Sequence, residues 1–425
     1  YAQSVSSPSR ASIMTGQNAT RHRTTNWINS ESNNKTPFGP SDWNWEGIRS
    51  NDITLARMLQ QNGYQTIHVG KAHFGCQGSE GEDPSHIGFN INIAGSSIGQ
   101  PGSYYGEHGY GHIKGNKRRA VPGLEKYHGT DVFLSDALTL EANAAIADAV
   151  SEQKPFFLYM AHYAVHAPFE VDKRFIGNYT DTAKSDQAKA FATLIEGMDK
   201  SLGDIMDKLE ELGVAENTLI IFLGDNGSDA PLGHEKGHFS SAPLRGKKGS
   251  EYEGGVRAPF IVSWGKPDAN NRWQKKLPIR QKAIQEQPAT VMDIYPTLLS
   301  LADIKNPGKH ITDGYNLQKQ LTGERETNRP DRFLMHFPHE HRGSYFTTLR
   351  LNEWKVIYWY NPETPDKPTY ELYNLTEDPF ETNDLSASHK DQLRTMIREM
   401  AIQLTSEGAL YPEDKQGNKI YPIVP

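Results

Sequence analysis

Three short apolar runs constrain the fold most. Phe156-Phe157-Leu158-Tyr159-Met160, Leu219-Ile220-Ile221-Phe222-Leu223 and Pro259-Phe260-Ile261-Val262 lack polar alternation, as strands buried on both faces do. A shorter strand is predicted at Thr66-Ile67-His68-Val69. Helical patterns separate these runs: Leu55 to Leu59 with a stop at Gly63, Ser135-Asp136 to about Val150, and a long amphipathic stretch over roughly Lys184 to Leu212. The alternation predicts an α/β fold, a mostly parallel central sheet sandwiched by helices. Ligands then bind beyond the carboxyl ends of the strands.

Further along, Asp303 to Arg332 is polar with Pro and Gly and reads as a connection. Short strands at Tyr345-Phe346-Thr347-Thr348-Leu349 and Trp354-Lys355-Val356-Ile357-Tyr358, then a helix at about Ser388 to Leu404, predict a smaller C-terminal α+β subdomain with an antiparallel sheet. Domain boundaries of 1–325 and 326–425 follow. The Gly-rich, irregular stretch from Gly75 to Thr130 is long enough to be functional and suits the wall of a cleft. Tyr1-Ala2-Gln3 reads as the end of a strand.

Bulk properties exclude several classes. The 425 residues carry a net charge of −7 with both signs mixed, which argues against broad nucleic-acid binding. No apolar run approaches the roughly 20 residues of a membrane span. Cys76 is the single cysteine, so no disulfide forms within the chain.

Chemistry gathers at the predicted strand ends. Ser4-Val5-Ser6-Ser7-Pro8-Ser9-Arg10 leads through Met14-Thr15-Gly16 as a tight turn that presents Ser6 and enters a helix. Pro8 is tolerated in the first turn, where an N–H lacks a partner in any case. A helix N-terminus directs its free N–H groups at an anion. Gly70-Lys71-Ala72-His73 closes the Thr66 strand, offering a compact positive charge and a proton shuttle. His162 and His166-Ala167-Pro168 follow the Phe156 strand, and Gly224-Asp225-Asn226-Gly227 closes the Leu219 strand. Asp225 and Asn226 supply oxygen ligands suited to a hard cation. Leu244-Arg245-Gly246-Lys247-Lys248-Gly249 then leads to Glu253-Gly254-Gly255-Val256-Arg257-Ala258-Pro259.

Five such segments in this order closely resemble the type I, formylglycine-dependent sulfatases of the alkaline-phosphatase-like superfamily, over nearly the whole chain. The resemblance implies hydrolysis of a sulfate ester through a formylglycine-sulfate covalent intermediate. In the family the first residue of the Cys/Ser-x-Pro-x-Arg core, here Ser6, is oxidised to formylglycine by a maturation enzyme. Arg10 is implied to fix that group, His73 to contact it, and Lys71 and Lys248 to hold sulfate oxygens. His166 is implied to protonate the leaving alcohol, with His162 structural. Asp225 and Asn226 are implied to bind one Ca2+ along with aspartates from a segment ahead of Tyr1. Ala72 departs from the bulky aromatic usual in the family.

The substrate class implied is a sulfated carbohydrate, met by a periplasmic or secreted bacterial enzyme. Candidate recognition residues are His234, His238, His339, His341 and Arg342; the last three leave a strand at the subdomain junction. Trp43, Trp45 and Tyr104 suit stacking on a sugar face or a place in the core. Lys117-Arg118-Arg119 suits a polyanionic glycan or a merely solvated surface. Two alternatives stand beside this reading: phosphoryl transfer by an unmodified Ser6 with bound metals, and an inactive glycan-binding homologue.

Overall fold

The computed structural model describes residues 1–232 and 240–425. A parallel sheet lies at its centre, in the order β2 (Ile91–Ile93), β1 (Gln65–Gly70), β3 (Phe156–Ala161). Its register runs from Gln65 opposite Phe156 to Gly70 opposite Ala161. Ile67 and Val69 face one layer, where α4 (Leu134–Ser151) covers them with Ala137 and Leu138, and α5 (Asp186–Glu211) adds Leu194. The opposite layer holds α1 (Ser6–Thr15), α3 (Leu55–Gln61) and the helix Ile294–Leu301 around Met14, Leu59, Phe74 and Tyr295. The sheet is thus sandwiched by helices, as the sequence pattern predicts.

Local chemistry fixes the ends of these elements. Ser185 caps α5 by accepting the Ala188 N–H at 3.1 Å, and Thr54 caps α3 through the Arg57 N–H at 3.1 Å. Such caps satisfy N–H groups that the helix cannot. All ten residues of α1 are buried, so packing rather than amphipathicity stabilises it. The helix stops at Gly16, whose φ of +68° closes the last turn on Ser12.

Two predicted strands depart from expectation. β4 (Leu219–Leu223) and β5 (Phe260–Trp264) form a separate antiparallel pair, Leu219 opposite Trp264 and Leu223 opposite Phe260. The long return from residue 224 to residue 259 brings β5 back over the end of β4, where the Gly224 N–H donates to the Pro259 carbonyl at 3.0 Å. With β5 starting where β4 ends, the pair runs antiparallel. Nor are these strands buried on both faces: Ile261 is 62% exposed. A continuous apolar run cannot by itself report how deeply its strand is buried. β4 nonetheless shares both core layers with β3. Ile220 packs beside Leu158 and Met160 on one side, and Ile221 and Leu223 share a cluster with Phe157 and Tyr159 on the other. Tyr1-Ala2-Gln3 joins no ladder; it bonds instead to Val256, Ala289 and Val291.

The C-terminal unit is an antiparallel meander of β6 (Arg332–Glu340), β7 (Ser344–Leu351), β8 (Trp354–Trp359) and β9 (Thr369–Asn374). Its outer face carries the helix Lys390–Glu407 through Met396, Ile397 and Met400. Its inner face packs Phe333, Met335, Phe337 and Phe346 on Val5, Val256 and Met292. No helix among the described residues is long and apolar enough to cross a membrane.

A buried ionic triad ties the two parts together. Lys355 on β8 contacts Glu253 at 3.0 Å and Glu381 at 2.7 Å, all three side chains at most 2% exposed. Removing one partner from such a group leaves uncompensated buried charge, at a cost of about 3–5 kcal/mol. Lys355→Ala is therefore expected to lose stability on that scale in urea denaturation. Two carboxylates share one ammonium here, and burial pushes Glu381 up to about 7. A carboxyl whose folded pKa exceeds its unfolded value binds extra protons in the native state, so stability falls as pH rises from about 4.5 to 7. Denaturation curves over that range should show this slope in the wild type and a flatter one in Glu381→Gln.

Candidate active site

Five chain segments converge at the strand ends. Ser6 opens α1 and is only 4% exposed. Its Oγ accepts a hydrogen bond from Lys71 Nζ at 2.8 Å. Lys71 reaches it because β1 ends at Gly70, where φ is +97° and a Cβ would lie 2.0 Å from the Ala161 carbonyl oxygen. Only glycine allows that approach. Arg10, one helical turn beyond Ser6, donates from Nε to Asp225 Oδ2 at 2.9 Å and from Nη1 to the Lys71 carbonyl at 2.8 Å. One guanidinium thereby links α1, the end of β1 and the end of β4.

The Lys248 loop is held by backbone bonds. Lys248 N–H donates to the Ser228 carbonyl at 3.0 Å, and Gly249 N–H to the Ser4 carbonyl at 2.8 Å. Of the two adjacent lysines, Lys247 lies 3.8 Å from Asp229, whereas Lys248 feels Asp225, Asp229 and Arg10 as near charges. Burial lowers the pKa of Lys248 and, with Arg10 alongside, lowers that of Lys71 well below the usual value. Asp225 answers them. Burial pushes its carboxyl up, but Arg10, Lys71 and Lys248 outweigh this and hold it well below the usual carboxylate range.

Both histidines have one nitrogen committed. His73 Nε2 lies 2.7 Å from the Ile28 carbonyl oxygen, and His166 Nδ1 lies 3.0 Å from that of Ala167. A carbonyl only accepts, so each of these nitrogens carries a proton. In the neutral rings His73 Nδ1 and His166 Nε2 are then acceptors. His73 Nδ1 is buried with no hydrogen-bond partner among the described residues. His73 sits at φ +56°, and its ring occupies space that a Cβ on Gly99 would invade at 2.6 Å; backbone strain of this kind clusters at functional sites. Burial, then Lys248 and Lys71, push His166 down to about 3; burial, then Lys71, lower His73 well below its usual value. His162 is pushed down to about 4 by burial alone.

Asp225 and Asn226 fit a hard cation as two of its oxygen ligands. Asn226 Oδ1 is buried without a hydrogen-bond partner among the described residues, and Asp225 commits Oδ2 to Arg10. Two ligands are short of the 6–8 that calcium takes. No group of three His, Cys, Asp or Glu side chains among the described residues completes a site.

The recognition candidates separate. Arg342 reaches the site's rim, where it grips Asp229 in a fork, Nη2 to Oδ2 at 2.9 Å, and donates to the Lys248 carbonyl at 3.2 Å. His341 stands beside it against Gly249, pushed down to about 4 by burial, then Arg342 and Lys248. His339 does not join them. It is fully buried, bonded to Thr25 Oγ1 at 2.8 Å and set edge-on to Trp43. β6 is buried from Phe333 through His339, so His339 lies in the core. His234 and His238 lie outside the described residues. Trp43 and Tyr104 are buried and unavailable for stacking. The Tyr104 hydroxyl instead donates to the His166 carbonyl at 2.7 Å. Trp45 lines a cavity of about 440 Å³ with Thr15 and His310. Asp229 is the member that sequence reasoning missed; it lies four residues past Asp225, and only the fold brings Arg342 onto it.

Ser6 thus opens a helix at the strand ends with Lys71 on its Oγ, beside a cluster in which Arg10, Lys71 and Lys248 share Asp225. The chain belongs to the sulfatase family: the Sulfatase profile matches residues 1–304. A second profile, N-sulphoglucosamine sulphohydrolase C-terminal, matches residues 247–409. The chain is similar to the N-acetylgalactosamine-6-sulfatase of Canis lupus familiaris, 26% identical over 380 residues, 84% of this chain and 63% of that protein. It thus spans less than two thirds of that relative's length. It is 25% identical over 419 residues to the N-acetylgalactosamine-6-O-sulfatase of Bacteroides thetaiotaomicron, covering 81% of this chain and 75% of that protein. The structure of Ps i-CgsB in complex with k-i-k-neocarrahexaose shares the fold, with a TM-score of 0.73 at 24% identity over 98% of this chain and 86% of that one.

A cluster of this charge should take up free sulfate. A ligand bound only by the folded state stabilises it, by about 2.7 kcal/mol at 100 times its Kd. Sodium sulfate is expected to raise the wild-type Tm above the value in sodium chloride of equal ionic strength. The double variant Lys71→Ala/Lys248→Ala should lose most of that difference in parallel thermal melts.

Proposed function

We propose that the protein is a sulfuric ester hydrolase that removes sulfate from a sulfated carbohydrate. The observation that carries this reading is the hydrogen bond from buried Lys71 to Ser6 Oγ, with Arg10, Lys248 and Asp225 gathered around it. Sulfatases that act on N-acetylgalactosamine 6-sulfate are among its relatives, which supports the substrate class. Lys71 on Ser6 Oγ, with Lys248 nearby, favours sulfuryl over metal-bridged phosphoryl transfer.

Oxidised to formylglycine, Ser6 would supply the nucleophilic hydroxyl on hydration, and a calcium ion held in part by Asp225 and Asn226 would add Lewis-acid charge at the sulfate. The chain's own residues perform the rest. Lys71 and Lys248 hold sulfuryl oxygens, where fixed positive charge in a dry site stabilises the transition state. Arg10 orients the nucleophilic residue and compensates its charge. His73 accepts a proton at Nδ1, since Nε2 is committed to Ile28. His166 protonates the departing sugar oxygen from Nε2. Burial, then Lys248 and Lys71, hold its pKa down; a sulfate bound to the two lysines would offset their part and raise it. Asp229 and Arg342 meet sugar hydroxyls at the rim, together with His341. Residues 1–325 form the catalytic unit in this reading, and residues 326–425 deliver Arg342 to it. A glycan substrate calls for a periplasmic or secreted protein, and oxidation of Ser6 for a maturation enzyme as partner.

Two measurements test the proposal. Mass spectrometry of the tryptic peptide ending at Arg10, from protein made in its native host, should find two hydrogens missing at Ser6; an intact serine there sinks the mechanism. General acid catalysis contributes about 10²–10⁴-fold and matters most for poor leaving groups. His166→Ala should therefore lose that range in kcat on a 6-sulfated sugar. On 4-nitrophenyl sulfate, whose leaving group needs no proton, it should lose far less. An equal loss on both esters removes His166 from the acid role.

A further inference from the structure

A cationic cavity lies beside residues 28–31. It measures about 590 Å³ and is lined by Glu31, Gln77, Lys117 and Arg118. Lys117 and Arg118 are exposed. Among the described residues, neither side chain has a carboxylate within 4.0 Å or makes a hydrogen bond. Glu31, the one acid of the lining, is engaged 3.7 Å away by Arg119, and Arg119 also bonds to Ser30 Oγ. The cavity thus presents two uncompensated cations on a chain whose net charge is −7. A local patch of this kind attracts an anion against the overall charge.

The cavity is joined to the site by a short, tethered piece of chain. Ile28 N–H donates to Ser7 Oγ at 3.0 Å, one residue from Ser6, and the Ile28 carbonyl holds His73 Nε2 at 2.7 Å. Two residues further, the Ser30 carbonyl accepts the Gln77 N–H at 2.7 Å. Glu31 and Gln77 then form the cavity wall. Three residues of extended chain reach at most about 10–11 Å, so the cavity opens within an oligosaccharide's length of Ile28. Both ends of the tether are anchored, so this spacing is fixed.

We infer that this cavity is a second anionic subsite, in which Lys117 and Arg118 bind a sulfate or carboxylate on a neighbouring sugar while the sulfate ester to be cleaved lies at Ser6. The inference rests on the sulfatase reading and narrows its substrate to a polyanionic oligosaccharide. Lys117 and Arg118 touch no reacting atom, so their contribution lies in binding and in preference for chain length.

Binding and turnover separate the possibilities. In a Ser6→Ala background, which leaves substrate intact, affinity is measured by calorimetry with and without Lys117→Gln/Arg118→Gln. The probes are a chondroitin 6-sulfate tetrasaccharide, its carboxyl-reduced form, a carrageenan hexasaccharide and N-acetylgalactosamine 6-sulfate. The double substitution is expected to weaken the tetrasaccharide about tenfold and to leave the monosaccharide unchanged. Loss of that difference on carboxyl reduction assigns the subsite to a carboxylate; a difference on the carrageenan hexasaccharide, which lacks carboxylates, assigns it to a sulfate. Equal tetrasaccharide affinity with and without the substitutions, including no binding by either protein, overturns the inference. So does an equal loss on the monosaccharide. Sulfate release by the protein with Ser6 intact is followed in parallel. Release with unaltered tetrasaccharide affinity refutes the subsite alone, and no release from any of these esters refutes the sulfatase reading beneath it.

Discussion

Asp225 is the carboxylate on which the site's charge balance depends. Arg10, Lys71 and Lys248 all approach it from largely buried positions, and three cations cannot stay desolvated together without an opposite charge. Its bond to Arg10 Nε sets the angle of the guanidinium, and the guanidinium's other arm fixes the Lys71 carbonyl. From there Lys71 reaches Ser6. Geometry and charge are therefore settled by the same contact. One anion against three cations still leaves the cluster with net positive charge, which attracts an anion.

Around this hub the scaffold is made mainly of backbone. Lys248 and Gly249 are pinned through N–H groups to Ser228 and Ser4, and Gly343 N–H on the β6–β7 turn donates to the Gly249 carbonyl at 3.0 Å. The side chains that vary the rim, Asp229, His341 and Arg342, hang from that frame without building it. The cationic centre and the rim are consequently separable, and the C-terminal sheet contributes to the rim through one turn.

Much of this was legible in the sequence. The helices at Leu134–Ser151 and Asp186–Glu211 follow from periodicity, and the placement of Ser6, Lys71, His166 and Asp225 at element ends follows from motif order. Sequence reading failed where a residue's environment depends on a distant partner. Leu219–Leu223 is as apolar as the Phe156 run, yet it pairs with an exposed antiparallel strand. His339 lies within β6, bonded to Thr25 in the core, whereas His341 lies one residue past the strand's end at Glu340 and stands at the rim. Asp229 carries no motif of its own; it gains meaning from Arg342, 113 residues away.

The burial of α1 sets an order of events. Every residue from Ser6 to Thr15 is enclosed, with Val5 packed beneath the C-terminal sheet and Ser7 tied to Ile28. An enzyme that must grasp this segment to alter Ser6 cannot do so once these layers have closed. In the proposed mechanism, oxidation of Ser6 would therefore have to precede the closing of these layers, on the nascent or still extended chain.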